Sequence, residues 1–265
     1  MTEVAHTLWP LAGAEGWDAP GLIVGDPDAE VTAIHLAVDA VLDTADETVD
    51  VGAQLLLVHH PLLLRGVTTV AEDRYKGAVI ARLIRGGSAL IAAHTNADIV
   101  GDGTSAVLAA RLGLGDARPI VPSPGVAGLG LGRVGELDDE VTLGDLARRL
   151  AEVLPATAQG IRGAGDFATP VKRVAVCAGA GDSLLAHPDV VSSDVYITSD
   201  LRHHPASEAR ENARLGHGPA LLDISHWAAE WLWLDVAAES LRAALPEVTV
   251  TVSELRTDPW DFALV

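Results

Sequence analysis

Two segments decide how this chain is read: Ala89-Leu-Ile-Ala-Ala-His94-Thr-Asn-Ala-Asp98 and Leu221-Leu-Asp-Ile-Ser-His226-Trp-Ala-Ala-Glu230. Each is an apolar run closing on a histidine, with a carboxylate four residues further on. Short apolar runs bounded by polar residues read as buried strands, and the ends of such strands are where open α/β sheets place ligands. The same order of elements surrounds both segments. The first half reads as a helix near residues 3–15, strands at 21–25 and 31–38, a helix at 42–52, a strand at 53–58, a helix at 75–85 and a strand at 89–93. The second half reads as a helix at 143–154, strands at 158–162 and 173–178, a short helix at 183–186, a strand at 194–198, a helix at 205–215, a strand at 220–224 and a long helix at 227–245. Laid over each other, Ile34–Asp39 matches Val174–Ala178, Leu55–Val58 matches Asp194–Ile197, and Ala89–His94 matches Leu221–His226. A duplicated α/β fold is therefore expected, with apolar rather than alternating strands pointing to mixed or parallel sheets covered by helices. The halves are residues 1–120 and 121–265, joined through the proline-rich segment Arg118–Gly125. Val248-Thr-Val-Thr-Val252 alternates as a half-exposed strand does and is available to either lobe's sheet.

Composition narrows the function. The chain is 49% hydrophobic but only 4% aromatic, so its core is aliphatic. A net charge of -19, with Lys76 and Lys172 as the only lysines, argues against binding a phosphate backbone, so no nucleic acid is expected. No charged n-region followed by an apolar stretch opens the chain and no apolar run reaches about 18 residues, so a cytoplasmic protein without membrane contact is expected. The single cysteine, Cys177, sits in an apolar run and reads as a buried structural thiol. There is no Gly-x-Ser-x-Gly elbow and no pairing that suggests a Cys–His nucleophile. Gly130-Leu-Gly132-Arg-Val-Gly135 has the spacing of a dinucleotide fingerprint, but it follows a proline-rich segment instead of a strand and carries no cofactor expectation.

The histidines carry the chemistry. His59-His60 follows the apolar run Leu55–Val58, and where a strand frays two adjacent side chains turn around one cavity, which suits two metals a few ångströms apart. The plainer reading is a histidine pair hydrogen-bonded to backbone. His226 and Glu230 start a helical segment one turn apart, so both reach one ion; the plainer reading is a helix entry capped by Ser225. Asp98 is either a turn or cap aspartate or, like Glu230, a carboxylate able to bridge two divalent ions about 3.5–4 Å apart. Asp200 and His204, in Thr198-Ser-Asp200-Leu-Arg202-His203-His204, either orient the metal ligands or meet the substrate. His35, His187 and His217 show no partner pattern and read as structural or exposed.

Together, Leu57-Val-His59-His60-Pro61-Leu62, His94-Thr-Asn96-Ala-Asp98, Tyr196-Ile-Thr198-Ser-Asp200 with His204, and Asp223-Ile-Ser-His226-Trp-Ala-Ala-Glu230 resemble the Nif-three-like dinuclear metal-centre family, often labelled GTP cyclohydrolase I type two homologues. The resemblance runs from Trp17-Asp18 and Gly21-Leu22 to the last helix. It implies a duplicated, intertwined pair of α/β lobes with the metal site between them, and a homohexamer. It implies His59, His60, Asp98, His226 and Glu230 as metal ligands, His94 beside the metals, and Asp200 with His204 at the edge of the cavity. On this basis His94 and His204 are expected to transfer protons, and Asn96 and Asp200 to meet the substrate. The cofactor expected is two divalent transition-metal ions per chain, of Zn, Fe, Mn, Co or Ni. Ser199 and Ser225 stand where the family commonly has glycine. The leading expectation is hydrolysis of a small phosphorylated or nucleotide-like substrate. A metal storage or delivery protein, or a ligand sensor without turnover, is the alternative, and a scaffold whose metals only hold an oligomer together is the third.

Overall fold

In the computed structural model, which describes residues 1–124 and 128–264, strands and helices alternate along most of the chain. In order they are α1 (Thr2–Leu8), β1 (Gly21–Val24), β2 (Ala33–Ala37), α2 (Leu42–Asp50), β3 (Leu55–Val58), α3 (Tyr75–Gly86), β4 (Ala89–Ala92), α4 (Thr95–Asp98), α5 (Thr104–Leu112), β5 (Gly115–Arg118), β6 (Val121–Pro122) and β7 (Gly130–Leu131). There follow β8 (Arg133–Thr142), α6 (Leu143–Val153), β9 (Arg162–Ala164), β10 (Pro170–Ala180), α7 (Pro188–Val191), β11 (Val195–Ser199), α8 (His203–Arg214), β12 (Ala220–Ile224), α9 (His226–Ala244) and β13 (Thr249–Val252). Gly125, the last residue of the proline-rich segment, lies outside the described residues. None of the described helices is long and apolar enough to cross a membrane.

The chain divides into two compact units that alternate along the sequence: Met1–Ala97 with Leu234–Thr257, and Asp98–Trp233 with Asp258–Val265. The first unit is built on a five-stranded sheet of order β1-β4-β3-β2-β13. Strands β13, β2, β3 and β4 run parallel, and β1 closes the edge antiparallel to β4. Leu55, Leu56, Leu57 and Leu90 are fully buried, which is why these strands read as continuous apolar runs rather than alternating ones. Each such side chain removed from water contributes about 1.5–3 kcal/mol. Val79 and Leu83 of α3 pack on the same core, and Gly87, left-handed at φ 73°, ends that helix. His35 is structural: it is buried, with Nδ1 2.8 Å from Thr251 Oγ1 and Nε2 2.9 Å from Glu47.

The second unit carries a six-stranded sheet of order β5-β8-β10-β11-β12-β9. Its parallel centre β10-β11-β12 corresponds to β2-β3-β4, and β9 borders β12 antiparallel as β1 borders β4. The two sheets share this central order in a mixed α/β fold, with Val174 level with Val195 as Ile34 is with Leu55, which is one residue away from the overlay of Leu55 on Asp194. Thr142 caps α6 by accepting the Asp145 N–H at 3.0 Å. Ser225 caps α9, accepting the Ala228 N–H at 3.2 Å and donating to Asp258 Oδ2 at 2.5 Å.

Three local expectations are corrected. The helix expected over 3–15 stops at Leu8, because Pro10 has no N–H to continue it, and resumes only as a short turn at Leu11–Gly13. The strand expected at 158–162 begins at Arg162, where pairing with Asp223 starts. Helix α5 and strand β8 were not anticipated. Residues 130–135 run into β8, a strand with acidic exposed positions, rather than into a helix.

Candidate metal centre

In the first unit the ends of β3 and β4 bring three imidazoles together. The rings of His59, His60 and His94 lie 5.1–5.6 Å apart, and one ligand nitrogen from each falls within 4.8 Å of the others. Each Nδ1 is held by an oxygen. His59 Nδ1 donates to the Ala93 carbonyl at 2.8 Å; since a carbonyl only accepts, the tautomer is fixed with the lone pair on Nε2. His60 Nδ1 meets Asp39 Oδ1 at 2.7 Å, and the other oxygen of Asp39 accepts from Thr257 at 2.5 Å. His94 Nδ1 meets Asp18 Oδ1 at 2.7 Å. Asp18 also accepts the Thr95 N–H at 3.0 Å and the Thr95 hydroxyl. An imidazole whose Nδ1–H goes to a carboxylate or carbonyl is the arrangement that metal-ligating histidines adopt.

Burial works against ionisation of Asp18, but the hydrogen bonds from His94 and Thr95, with the His94 charge, bring its pKa down from 3.8 to about 2. A carboxylate depressed in this way stabilises the fold above its unfolded value of 3.8, and the contribution disappears as pH falls through about 2. Asp18→Asn should therefore lower stability by about 2 kcal/mol at neutral pH. In urea titrations the gap from wild type should narrow steadily below about pH 4; a gap that stays constant into acid would contradict this role for Asp18.

In the second unit the start of α9 carries His226 and Glu230 one turn apart on one face, Nε2 3.0 Å from Oε1. His226 Nδ1 is 2.7 Å from Asp200 Oδ2. Asp200 takes a left-handed backbone at φ 57°, a conformation uncommon outside glycine that stores strain at the place where its carboxylate meets His226. Burial favours the neutral imidazole of His226, yet Glu230 and Asp200 outweigh it and carry the pKa well above the ordinary value. Trp227 and Trp233 are buried around this turn. Asp98 is buried at the end of α4, accepting from Thr104 at 2.5 Å. The guanidinium of Arg133, bonded to the Val100, Gly130 and Gly132 carbonyls, is pushed below its usual pKa by burial, with the Asp98 charge opposing. Burial, with added charge from Asp98 and Glu230, pushes the Cys177 thiol up to about 12, so it is inert and structural.

The structure thus gathers His59, His60 and His94 in one unit and His226, Glu230 and Asp200 in the other. Asn96, expected at the substrate, is buried with its amide engaged by backbone: it accepts the His94 N–H at 2.9 Å and donates to the Trp9 carbonyl at 2.8 Å. His204 lies outside both groups. It is exposed on the first turn of α8, 5.2 Å ring to ring from His203, beside a cavity of about 840 Å³ lined also by Asp182 and Arg202.

Two elements were missed in the sequence. Asp39 orients His60, and its position at the end of the apolar run Ile34–Val38 is the signal that marked it. Gly179, near the end of β10, and Gly181, just past it, follow the apolar run Val174–Ala178: a Cβ on Gly179, whose φ is 83°, would stand 2.6 Å from Glu230 Oε1 and 3.4 Å from His226 Nε2. Tyr196 and Thr198 clamp this turn by donating to the carbonyls of Gly181 and Gly179 at 2.9 and 3.0 Å. A glycine pair after an apolar strand was visible and points to close approach of another group.

A duplicated α/β fold with histidine and carboxylate clusters at its strand ends defines a class of candidate metal-binding proteins. The Duf34/NIF3 (NGG1p interacting factor 3) family matches residues 1–259, and the chain belongs to that family. A Streptomyces coelicolor relative named "GTP cyclohydrolase 1 type 2 homolog" is 50% identical over 260 residues, spanning 96% of this chain and 90% of its own length. Among solved structures, a Staphylococcus aureus protein is similar with a TM-score of 0.86 at 26% identity, covering 99% of this chain and 97% of its own. A Bacillus cereus protein related to NIF3 shares the fold with a TM-score of 0.88 at 20% identity, covering 98% and 97% of the two chains.

Proposed function

We propose that His59, His60, Asp98, His226 and Glu230 hold divalent transition-metal ions and that the chain hydrolyses a small phosphorylated or nucleotide-like substrate. One observation carries the reading. In His59, His60, His94 and His226 alike, Nδ1 is engaged by a carboxylate or carbonyl oxygen, and in His226 the Nε2 side faces Glu230 Oε1 at 3.0 Å, an imidazole nitrogen and a carboxylate oxygen turned toward one place. Histidines serving only to fill a core have no reason to share that polarity. The donor set, imidazole nitrogen with carboxylate oxygen, fits Zn, Fe, Mn, Co or Ni. Two such ions, when bound, lower the pKa of a shared water toward neutrality and offset charge on the leaving oxygen. The protein's part is orientation and proton movement: Asp39 and Asp200 fix the rings of His60 and His226, and His94, fixed by Asp18, is placed to relay a proton. The name of the Streptomyces coelicolor relative agrees with a nucleotide-like substrate.

Metal-loaded protein should hydrolyse at least one member of a panel of nucleotides and phosphate monoesters, and chelation should stop it. Glu230→Ala should cut that turnover by about 100-fold or more with an unchanged circular dichroism spectrum. Undiminished turnover in Glu230→Ala would sink the hydrolytic reading. No turnover on any substrate, together with metal transfer to an acceptor protein, would replace it by storage and delivery.

A further inference from the structure

We propose that Trp17 is the stacking platform for the planar ring of the substrate, so that the ligand taken by this centre is a nucleotide and not a simple sugar phosphate. The inference rests on the hydrolytic reading and names its substrate class. Trp17 is 61% exposed, as is Trp260, whereas Trp9, Trp227 and Trp233 are buried; of the two exposed indoles Trp17 is the one in ring contact with His94. A large indole left in water is costly unless something covers it in function.

Its exposure is not that of a loose loop. The Glu15 N–H donates to Thr95 Oγ1 at 3.0 Å, and Asp18 accepts from the Ala19 N–H at 2.7 Å, from the Thr95 N–H at 3.0 Å and from His94 Nδ1 at 2.7 Å. The residues on both sides of Trp17 are thus tied to the segment that carries His94. The indole meets the His94 ring in a T-shape, centroids 5.8 Å apart at 77°, so the two rings do not stack face to face. His94 is in turn 5.1 Å from His59 and 5.6 Å from His60. An aromatic surface beside His94, which in turn clusters with His59 and His60, matches a ligand with its reacting phosphoryl group at the histidines and a flat base on the indole. A quaternary ammonium ligand would call for a cage of several aromatic rings; the described ring contacts here are those of Trp17 with His94 and among the histidines.

The test is calorimetric titration of the manganese-loaded chain with guanosine monophosphate, uridine monophosphate and ribose phosphate. The nucleotides should bind about tenfold or more tightly than ribose phosphate, because stacking of a base on an aromatic side chain contributes at that scale. Trp17→Ala should weaken nucleotide binding by about 5- to 150-fold, leaving ribose phosphate binding and metal content unchanged, and Trp17→Phe should restore most of the difference. Equal binding of ribose phosphate and nucleotide, a preference that survives Trp17→Ala, or no nucleotide binding at all would overturn the proposal. So would a Trp17→Ala variant that changes only the mass of the assembly by light scattering, which would make the indole an interface residue. Metal-dependent hydrolysis of a phosphate monoester without preference for a base would remove this inference and leave the hydrolytic reading standing. Should Trp17→Ala fail to fold, Trp17→Leu tests the same point, since it keeps the apolar bulk and removes the ring.

Discussion

The His226→Ala/Glu230→Ala chain should purify folded and with far less divalent metal than wild type, which is expected to carry about two ions per chain. Both substitutions fall within the first two turns of α9, where alanine is the best helix former and Ser225 keeps its capping bond to the Ala228 N–H. Trp227 and Trp233 continue to fill the surroundings, so the secondary structure has no reason to fail. What disappears is an imidazole held by Asp200 at 2.7 Å and a buried carboxylate 3.0 Å from it. Elemental mass spectrometry on both proteins, after identical reconstitution, reads the outcome directly. Metal retained in the double variant at the wild-type level would take His226 and Glu230 out of the ligand set, and little metal in wild type would return the histidines to a structural role.

A second large effect is expected from one methyl group. Gly179→Ala should retain the fold but bind divalent metal about 10- to 100-fold more weakly, the scale seen when groups that orient metal ligands are disturbed. The added Cβ would stand 2.6 Å from Glu230 Oε1, closer than real side chains approach, so the carboxylate must move. The backbone penalty for alanine at a positive φ, about 1–2 kcal/mol, comes in addition. Gly216→Ala separates the two: its φ is 82°, almost that of Gly179, and no atom lies within 4 Å of the new methyl. It should lose similar stability and no metal affinity. Equal metal binding by Gly179→Ala and Gly216→Ala would mean that the space beside Glu230 has no bearing on the ion.

Much of this was legible in the sequence, for physical reasons particular to each element. The parallel strands β2, β3, β4, β10, β11 and β12 are largely buried on both faces, so they appear as mainly apolar runs, and the repeat between them gave the duplication. His59-His60, His94 and His226 stood out because each follows such a run directly. Strand β8 did not stand out, since it lies antiparallel to β10 with Glu136 and Asp138 in solvent and looks like an acidic loop. Helix α5 was passed over although Val107, Leu108 and Leu112 recur at helical spacing ahead of the left-handed Gly113. The residues that position the histidines were harder still. Asp39 is paired with His60 from 21 residues away and Asp18 with His94 from 76; the strand end marks Asp39 as a position, but no local pattern names the partner that folding brings to it. Ser225 is a cap bonded to Asp258, in keeping with the plainer reading of that helix entry.

The edge strand β13 pairs with β2 between residues up to 216 apart, Thr249 alongside Ala33 and Thr251 bonded to His35. During synthesis, therefore, the part of the chain that holds His59, His60 and His94 leaves the ribosome long before its sheet can be finished. The central β10-β11-β12 strands of the other sheet lie within 55 residues, Pro170–Ile224, and wait on nothing so distant. Because pairing across long stretches of chain is slow, the central strands of the second sheet have time to form first, and His59, His60 and His94 are made well before the sheet that carries them is complete.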